Sequence, residues 1–452
     1  MKFRTIFSDV TTEVKNMEAL LFITMVGSFV GLAALRLPIS IALLFSSIVG
    51  AVISDTFSIS RLVEGAFGYF DAILIIATAM IFMNSIKESG LLKDAADVIT
   101  FSFRRYPRTL LIMMTLFIMS AGMITGSSTA AVLTTGAIAF PVLTSLGLDR
   151  KTSGALIAMS SIFGMIAPPV NIPVMIIGQG VDMPYIGFTY PLLWLTVPLA
   201  LLTALLLAGR NVKLVEIKVR KKKPQLILYI PFLLLIVLNI LDALRITSFG
   251  LSLMFIICAL SANLTAKKFN FFKTSIKALS EALPILSILA GVGMFIEVMT
   301  MSGVRGFIVS SLISIPTPLL YITIGIGIPA FGAVSSFGAA SVLGVPFLLA
   351  FLGGNDIIVA SALSLVAGLG DMVPPTALAG IFASHVVGEK NYFVILKKSF
   401  AVLALVAVFG VTTVAFSRTL SVLFNSAWIF CVLITALIAG VFLSDIFARR
   451  EL

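Results

Sequence analysis

Histidine occurs once in the 452 residues, cysteine and tryptophan twice each, and charged residues make up only 11%. Cys258 and Cys431 both fall inside apolar runs, so core positions are expected for them rather than a disulfide or a metal pair. A membrane-embedded enzyme would need facing Asp, Glu or His ligands within its spans. One intramembrane aspartate with one marginal histidine is too little for that. No polar stretch between the apolar runs is long enough for a soluble domain of about 100 residues. Residues 1–17 are polar and of mixed charge, so they do not read as a signal peptide.

What is present is apolar: 59% hydrophobic residues and a mean hydropathy of +1.14. Many runs approach the roughly 20 apolar residues that a bilayer-spanning helix needs. The expected class is an all-α polytopic protein, one integral unit in the lipid bilayer with short loops. The net charge of +11 could suggest nucleic acid as a partner, but the Lys and Arg sit in loops, as topology signals do.

One pattern occurs twice. MITGSSTAAVLTTGAIAFPVL (123–143) is followed by FGMIAPPVNIPV (163–174); FGAVSSFGAASVLGVPFLL (331–349) is followed by LGDMVPPTALAG (369–380). In each copy a Gly/Ser/Ala cluster interrupts one apolar run and a Pro-Pro pair interrupts the next. Matching breaks in two halves of a membrane protein point to a transporter's binding site. Both clusters therefore read as re-entrant hairpin tips meeting near the middle of the membrane. A lone Gly/Ala/Ser cluster would more often mean close helix packing, and a lone proline a kink; the paired occurrence favours a site.

In chain order, an N-terminal extracytoplasmic segment (1–17) precedes a first repeat at 18–209, with spans at 18–35, 38–54, 71–86 and 190–209. An amphipathic stretch from Lys87 to Arg108 is expected along the interface, the hairpin at 109–146 and the broken helix at 151–182. The basic loop 210–224 divides the halves. The second repeat, 225–416, has spans at 226–244, 248–264, 283–300 and 397–416, a hairpin at 316–352 and a broken helix at 356–388. A further span at 427–447 has no counterpart. Five full crossings per half make the repeats inverted. With loop 210–224 inside, 24 of the 31 Lys and Arg fall on the cytoplasmic side, giving an N-terminus outside and a C-terminus inside. The first hairpin would then enter from the cytoplasm and the second from outside.

Breaks inside a membrane leave backbone groups unpaired, at several kcal/mol each in lipid, and survive where they line a wet cavity or hold a ligand. Carbonyls and hydroxyls suit a hard cation such as Na+; half-helix N-termini suit a carboxylate. Ser127, Ser128, Thr129 and Asn171 in the first copy, and Ser335, Ser336 and Thr376 in the second, are the candidate polar contacts. Asp371 is the sharpest single residue, a carboxylate at membrane depth that could ligate a cation or carry a proton. His385, beside Glu389 and Lys390, is expected at the interface, and Asp242 and Glu297 are expected to be solvated near span ends.

RLPISIALLFSSIVGAVI, SRLVEGAFGYFDAILIIATAMIFMNSIKESGLL, the TGSSTAAV tip and above all GLDRKTSGALIAMSSIFGMIAPPVNIPV make the chain resemble the large membrane subunit of TRAP transporters, over roughly residues 18–416. These belong to a superfamily of elevator-type ion-coupled carriers. The resemblance implies Na+-driven uptake of an organic acid, usually a carboxylate such as a C4-dicarboxylate, across a bacterial or archaeal cytoplasmic membrane. It implies two partners, an extracytoplasmic substrate-binding protein and a small four-helix membrane subunit, the latter not expected to be fused in front. It places cation sites on Gly126–Ser128 with Ile166–Pro168, and on Gly332–Ser336 with Met372–Pro374. The chain departs from the family at the second tip. An aspartate followed by proline is usual there, whereas Ser336-Phe337 stands in that place and Asp371 lies in the facing break. The alternatives are a stand-alone carrier, proton-coupled through such a carboxylate, and a channel with a continuous polar pore.

Overall fold

The computed structural model describes residues 2–209, 212, 225–244, 246–265, 269–351 and 353–450, without the side chains of 2–16, 243, 449 and 450. Apart from Val212, the basic loop 210–224 that anchors the charge reading lies outside the described residues. Apolar runs of this length fold as helices because, away from water, each backbone N–H and C=O must be paired within its own segment. Among the described residues there are helices and connecting turns and no strand.

The first half runs α1 (Lys2–Ala34), α2 (Ile39–Ile53), α3 (Ile59–Phe67), α4 (Phe70–Ser89) and the amphipathic α5 (Leu91–Phe103). A hairpin follows, α6 (Pro107–Thr125) and α7 (Ser128–Ser145, with a π-helical turn at Val132–Gly136). Next come a broken helix, α8 (Arg150–Ile166) and α9 (Ile172–Gln179), and then α10 (Thr189–Leu207). The second half repeats this order. It runs α11 (Ile230–Ala243), α12 (Gly250–Thr265), α13 (Phe271–Met301) and α14 (Val304–Ser314). Its hairpin is α15 (Thr317–Gly332) and α16 (Ser336–Ala350), and its broken helix is α17 (Asp356–Gly368) and α18 (Leu378–Val387). After α19 (Tyr392–Ala415) come α20 (Ser417–Phe424) and α21 (Ala427–Arg450). Eight of the described helices are long and apolar enough to cross a membrane.

The helices sort into two packing groups. In one, α13 lies against α2, α3 and α4, α12 against α4 and α11, and α1 against α2. In the other, α8 packs on α6, α10, α18 and α19, and α17 on α19 and α9. The hairpins and broken helices thus share one body, and α4 and α13 present the facing wall of the other.

Three features differ from expectation. α13 spans 271–301 rather than 283–300, because Asn270 caps its start by accepting from Lys273 N at 3.0 Å. Its polar first turns are invisible to a hydropathy reading. The limbs of the first hairpin are 19 and 18 residues long, longer than the short crossings expected, so length alone does not separate a hairpin from two spans. Cys431 is a correction: Cys258 is buried, but Cys431 is exposed on α21, whose apolar window is only 6% buried. An apolar run facing outward reads in sequence just like one facing a core.

That C-terminal helix nevertheless packs Phe430 on Trp194 and Phe442 on Tyr106, and it carries one polar anchor. Asp445, 4% exposed, accepts from Thr109 N and Thr109 Oγ1 through Oδ2, both at 2.9 Å, and from Arg108 N through Oδ1 at 3.4 Å. Arg108 in turn donates to Ser444 Oγ at 2.8 Å. A carboxylate from α21 therefore satisfies the first free N–H groups of α6, where the helix dipole also favours negative charge. Replacing Asp445 by Ala leaves those donors buried and unpaired. A stability loss of about 1–3 kcal/mol is expected, read from denaturant unfolding in detergent; a midpoint equal to that of the parent would contradict it.

Asp149 caps α8 in the same way, accepting from Thr152 N at 3.0 Å. Its hydrogen bond with Thr152, aided by Lys398 and Lys151, holds its carboxyl below the ordinary range, against partial desolvation. A depressed folded pKa stabilises above the unfolded value and loses that contribution as pH falls through the folded one. Asp149→Asn is therefore expected to flatten the acid limb of the stability profile below about pH 4. An acid limb identical to the parent's, in melting temperature measured from pH 3 to 7, would remove Asp149 from this role.

Candidate functional site

Each tip is closed by the same device. α6 ends at Thr125, Gly126 takes a left-handed φ of 63°, and Ser127 caps α7 by accepting from Ala130 N at 3.2 Å. α15 ends at Gly332, and Ser335 caps α16 by accepting from Gly338 N at 3.1 Å. Each hydroxyl cap satisfies one of the free N–H groups at the start of its helix.

Each broken helix is tied to the tip beside it. Val170 N donates to Met123 O at 3.1 Å, and Thr376 donates to Ala333 O through both its N (3.1 Å) and its Oγ1 (2.7 Å). Backbones approach closely at glycine pairs. A Cβ on Gly122 would stand 2.7 Å from the Gly164 carbonyl carbon, and one on Gly332 would stand 3.1 Å from Gly370 Cα. Gly164 and Gly370 hold the same register, four residues before their Pro-Pro pairs, both of which contain a cis bond.

The tips meet at a cavity of about 620 Å³. Ser127, Ser128, Thr129, Ser335, Ser336, Asp371 and Thr376 line it, so the structure brings these expected residues together across both halves. Met165 and Asp371, the residues that follow Gly164 and Gly370, line it from equivalent positions. Asp371 is 4% exposed, and both tips reach it: Ser128 Oγ donates to its Oδ2, and Ser336 hydrogen-bonds it as well. Among the described residues no Lys, Arg or His pairs with it. A buried carboxylate held only by hydroxyls recovers about 1.5–3 kcal/mol per bond against a desolvation penalty of several kcal/mol. A cation or proton at this point removes the remaining cost.

Other expected residues lie behind the cavity. Asn171 is fully buried; its Oδ1 caps α9 at Val174 N (2.9 Å), and its Nδ2 donates to Ile166 O (2.8 Å) and Ser364 Oγ (3.0 Å). Its polar atoms hold the break together and do not line the cavity, contrary to the substrate contact expected of it. Gly126, Ile166, Pro168, Gly332 and Met372 form the backbone behind the tips, and Met372 O accepts from Tyr392 Oη at 3.0 Å. Pro374 is exposed and faces an apolar groove between α15 and α19 instead. His385 is exposed in the last turn of α18, its ring 6.2 Å from that of Phe382.

Two lining residues escaped the sequence reading. Lys87 at the end of α4 and Glu281 on α13 line the cavity from the facing wall, and Asn84 Nδ2 donates to Glu281 Oε2 at 3.1 Å. Lys87 read only as a loop charge, and a polar residue just before Pro284 was the one available signal for Glu281.

A polytopic all-helical chain with paired broken helices around a polar-ended cavity is a membrane transporter component. Residues 26–417 match the family described as tripartite ATP-independent periplasmic transporter, DctM component, and the chain belongs to that family. No curated protein sequence matches it. The fold is similar to that of the YdaH transporter of Alcanivorax borkumensis, with a TM-score of 0.58 and 14% identity, over 78% of this chain and 87% of that one.

The glycine approaches give a test of the cradle. Gly370→Ala places a methyl against the backbone of Gly332, and overpacking of this kind costs about 1–3 kcal/mol. Gly31→Ala, on α1 with nothing within 4 Å of the added carbon, is expected to be neutral or slightly stabilising. Equal melting temperatures for the two variants would show that the close approach carries no such constraint.

Proposed function

We propose that the chain is the permease subunit of a TRAP-type system that takes up a small organic acid coupled to Na+. The observation that carries this is Asp371, a buried carboxylate hydrogen-bonded by both hairpin tips at the polar end of one cavity. In this reading Na+ draws its oxygens from backbone at Gly126–Ser128 with Ile166–Pro168 and at Gly332–Ser336 with Met372–Pro374, where Ile166 O and Met372 O also accept from Asn171 Nδ2 and Tyr392 Oη. The N-terminal ends of α7 and α16 face the same space and favour a substrate carboxylate.

In this reading the halves are inverted repeats, with the N-terminus outside and the C-terminus in the cytoplasm of a bacterial or archaeal inner membrane. The hairpins and broken helices move as one body across the bilayer against the wall of α4 and α13. An extracytoplasmic protein delivers the acid, and a small four-helix subunit braces the wall. Each net charge moved down the membrane potential supplies about 2.3 kcal/mol per 100 mV. One or two cations beyond the substrate's own charge therefore support accumulation.

A second reading, a proton-coupled carrier that needs no binding protein, is favoured by the same carboxylate, since two hydroxyl partners can serve a protonated acid as well as an ion. Uptake of labelled organic acids into proteoliposomes separates the two. A Na+ gradient should drive accumulation and Asp371→Ala should weaken its Na+ dependence at least tenfold, which corresponds to about 1.4 kcal/mol. Accumulation that follows a pH gradient and ignores Na+ would assign Asp371 to a proton. Unchanged Na+ affinity in the variant would remove it from the site.

A further inference from the structure

The lining of the cavity limits what kind of acid fits. We infer that the substrate is a monocarboxylate with an apolar body, in preference to a dicarboxylate or a polyhydroxylated acid. This rests on the reading above that the cavity takes an organic anion.

Charge balance is the first reason. The charged lining residues are Lys87, Glu281 and Asp371, one positive and two negative. A single coupling cation at Asp371 leaves Lys87 offset by Glu281, with the two hairpin N-termini free for one carboxylate. A second substrate carboxylate would leave the lining and substrate together with an excess of negative charge, and like charges repel.

The distribution of polarity is the second. The lining hydroxyls are gathered at one end of the cavity, on the tips and the second break with Thr134 one helical turn beyond, while Lys87 and Glu281 are the polar groups of the facing wall. Away from that end the walls are Met80, Ile285 and Ile288 from one side, with Phe337, Leu378 and Phe382 from the other. A hydroxyl or second carboxylate placed against them loses its water without gaining a partner. A methylene placed there gains about fourfold in affinity. Phe337 follows Ser336 directly, so the tip that contacts Asp371 also supplies an aromatic wall.

Size agrees. About 620 Å³ lies in the range of roughly 300–1,000 Å³ typical of pockets for drug-sized ligands.

The test is calorimetric titration of the purified full chain in detergent with Na+ present. The probes are butanoate, hexanoate, succinate and gluconate, the neutral hexanamide, and each titrated into empty micelles as a blank. Hexanoate is expected to bind at least tenfold more tightly than butanoate, succinate or gluconate, and Phe337→Ala to shrink the hexanoate-to-butanoate ratio severalfold. Succinate or gluconate binding as tightly as hexanoate would overturn the apolar-body inference while leaving an organic-anion carrier in place. Hexanamide binding as tightly as hexanoate, or no saturable binding of any acid, would overturn the organic-anion reading itself. A hexanoate-to-butanoate ratio unchanged by Phe337→Ala would also count against the proposal, since the aromatic wall would then not touch the tail.

Discussion

Every break in a helix buried in an apolar body must find partners for the backbone groups it frees. Most of what surrounds the two tips answers that demand. Ser127 and Ser335 cap the returning limbs, Val170 and Thr376 tie each break to its neighbouring hairpin, and Asn171 uses both ends of its amide on the first break. The glycine pairs are the steric side of the same requirement, because such ties form only where backbones nearly touch. The polar surface left over faces the cavity, and function is written into that remainder.

The two copies meet the demand differently. The first break is closed by an amide that is wholly internal, and its cavity-facing residue is the apolar Met165. The second has Ala377 in the amide's register, with a left-handed φ of 36°, and a carboxylate where the first has the methionine. Asp371 is thus the one charge at the polar end of the cavity, and it belongs to both hairpins at once through Ser128 and Ser336. Separation of the tips would break at least one of these bonds, so the ionic state of this carboxylate and the closeness of the hairpins are linked.

The hairpins and broken helices were legible in the sequence because glycine, serine and proline interrupt apolar runs locally, and Asp371 because a carboxylate in such a run is costly. What stayed hidden depends on partners far away in the chain. Asn171 looks like a ligand until Ser364 is seen beside it, 193 residues on. Glu281 lies just outside the apolar run at 283–300 and carries no signal until α13 is packed against α4. Asp445 lies in an apolar run just as Asp371 does, but its meaning comes from Thr109, 336 residues earlier. Composition could not distinguish an outward-facing helix from a core one, which is why Cys431 was misplaced.

The bond network from Asp445 to Arg108 and Thr109 makes the last helix a handle. Its polar anchor lies at the base of the first hairpin, where Phe442 also packs on Tyr106, while Phe430 packs on Trp194 of α10 further along. A tag or antibody fragment placed near the chain's end would report on that hairpin rather than on the wall it faces. Its position would be a readout of the first hairpin, attached 18 residues before Ser127 at its tip.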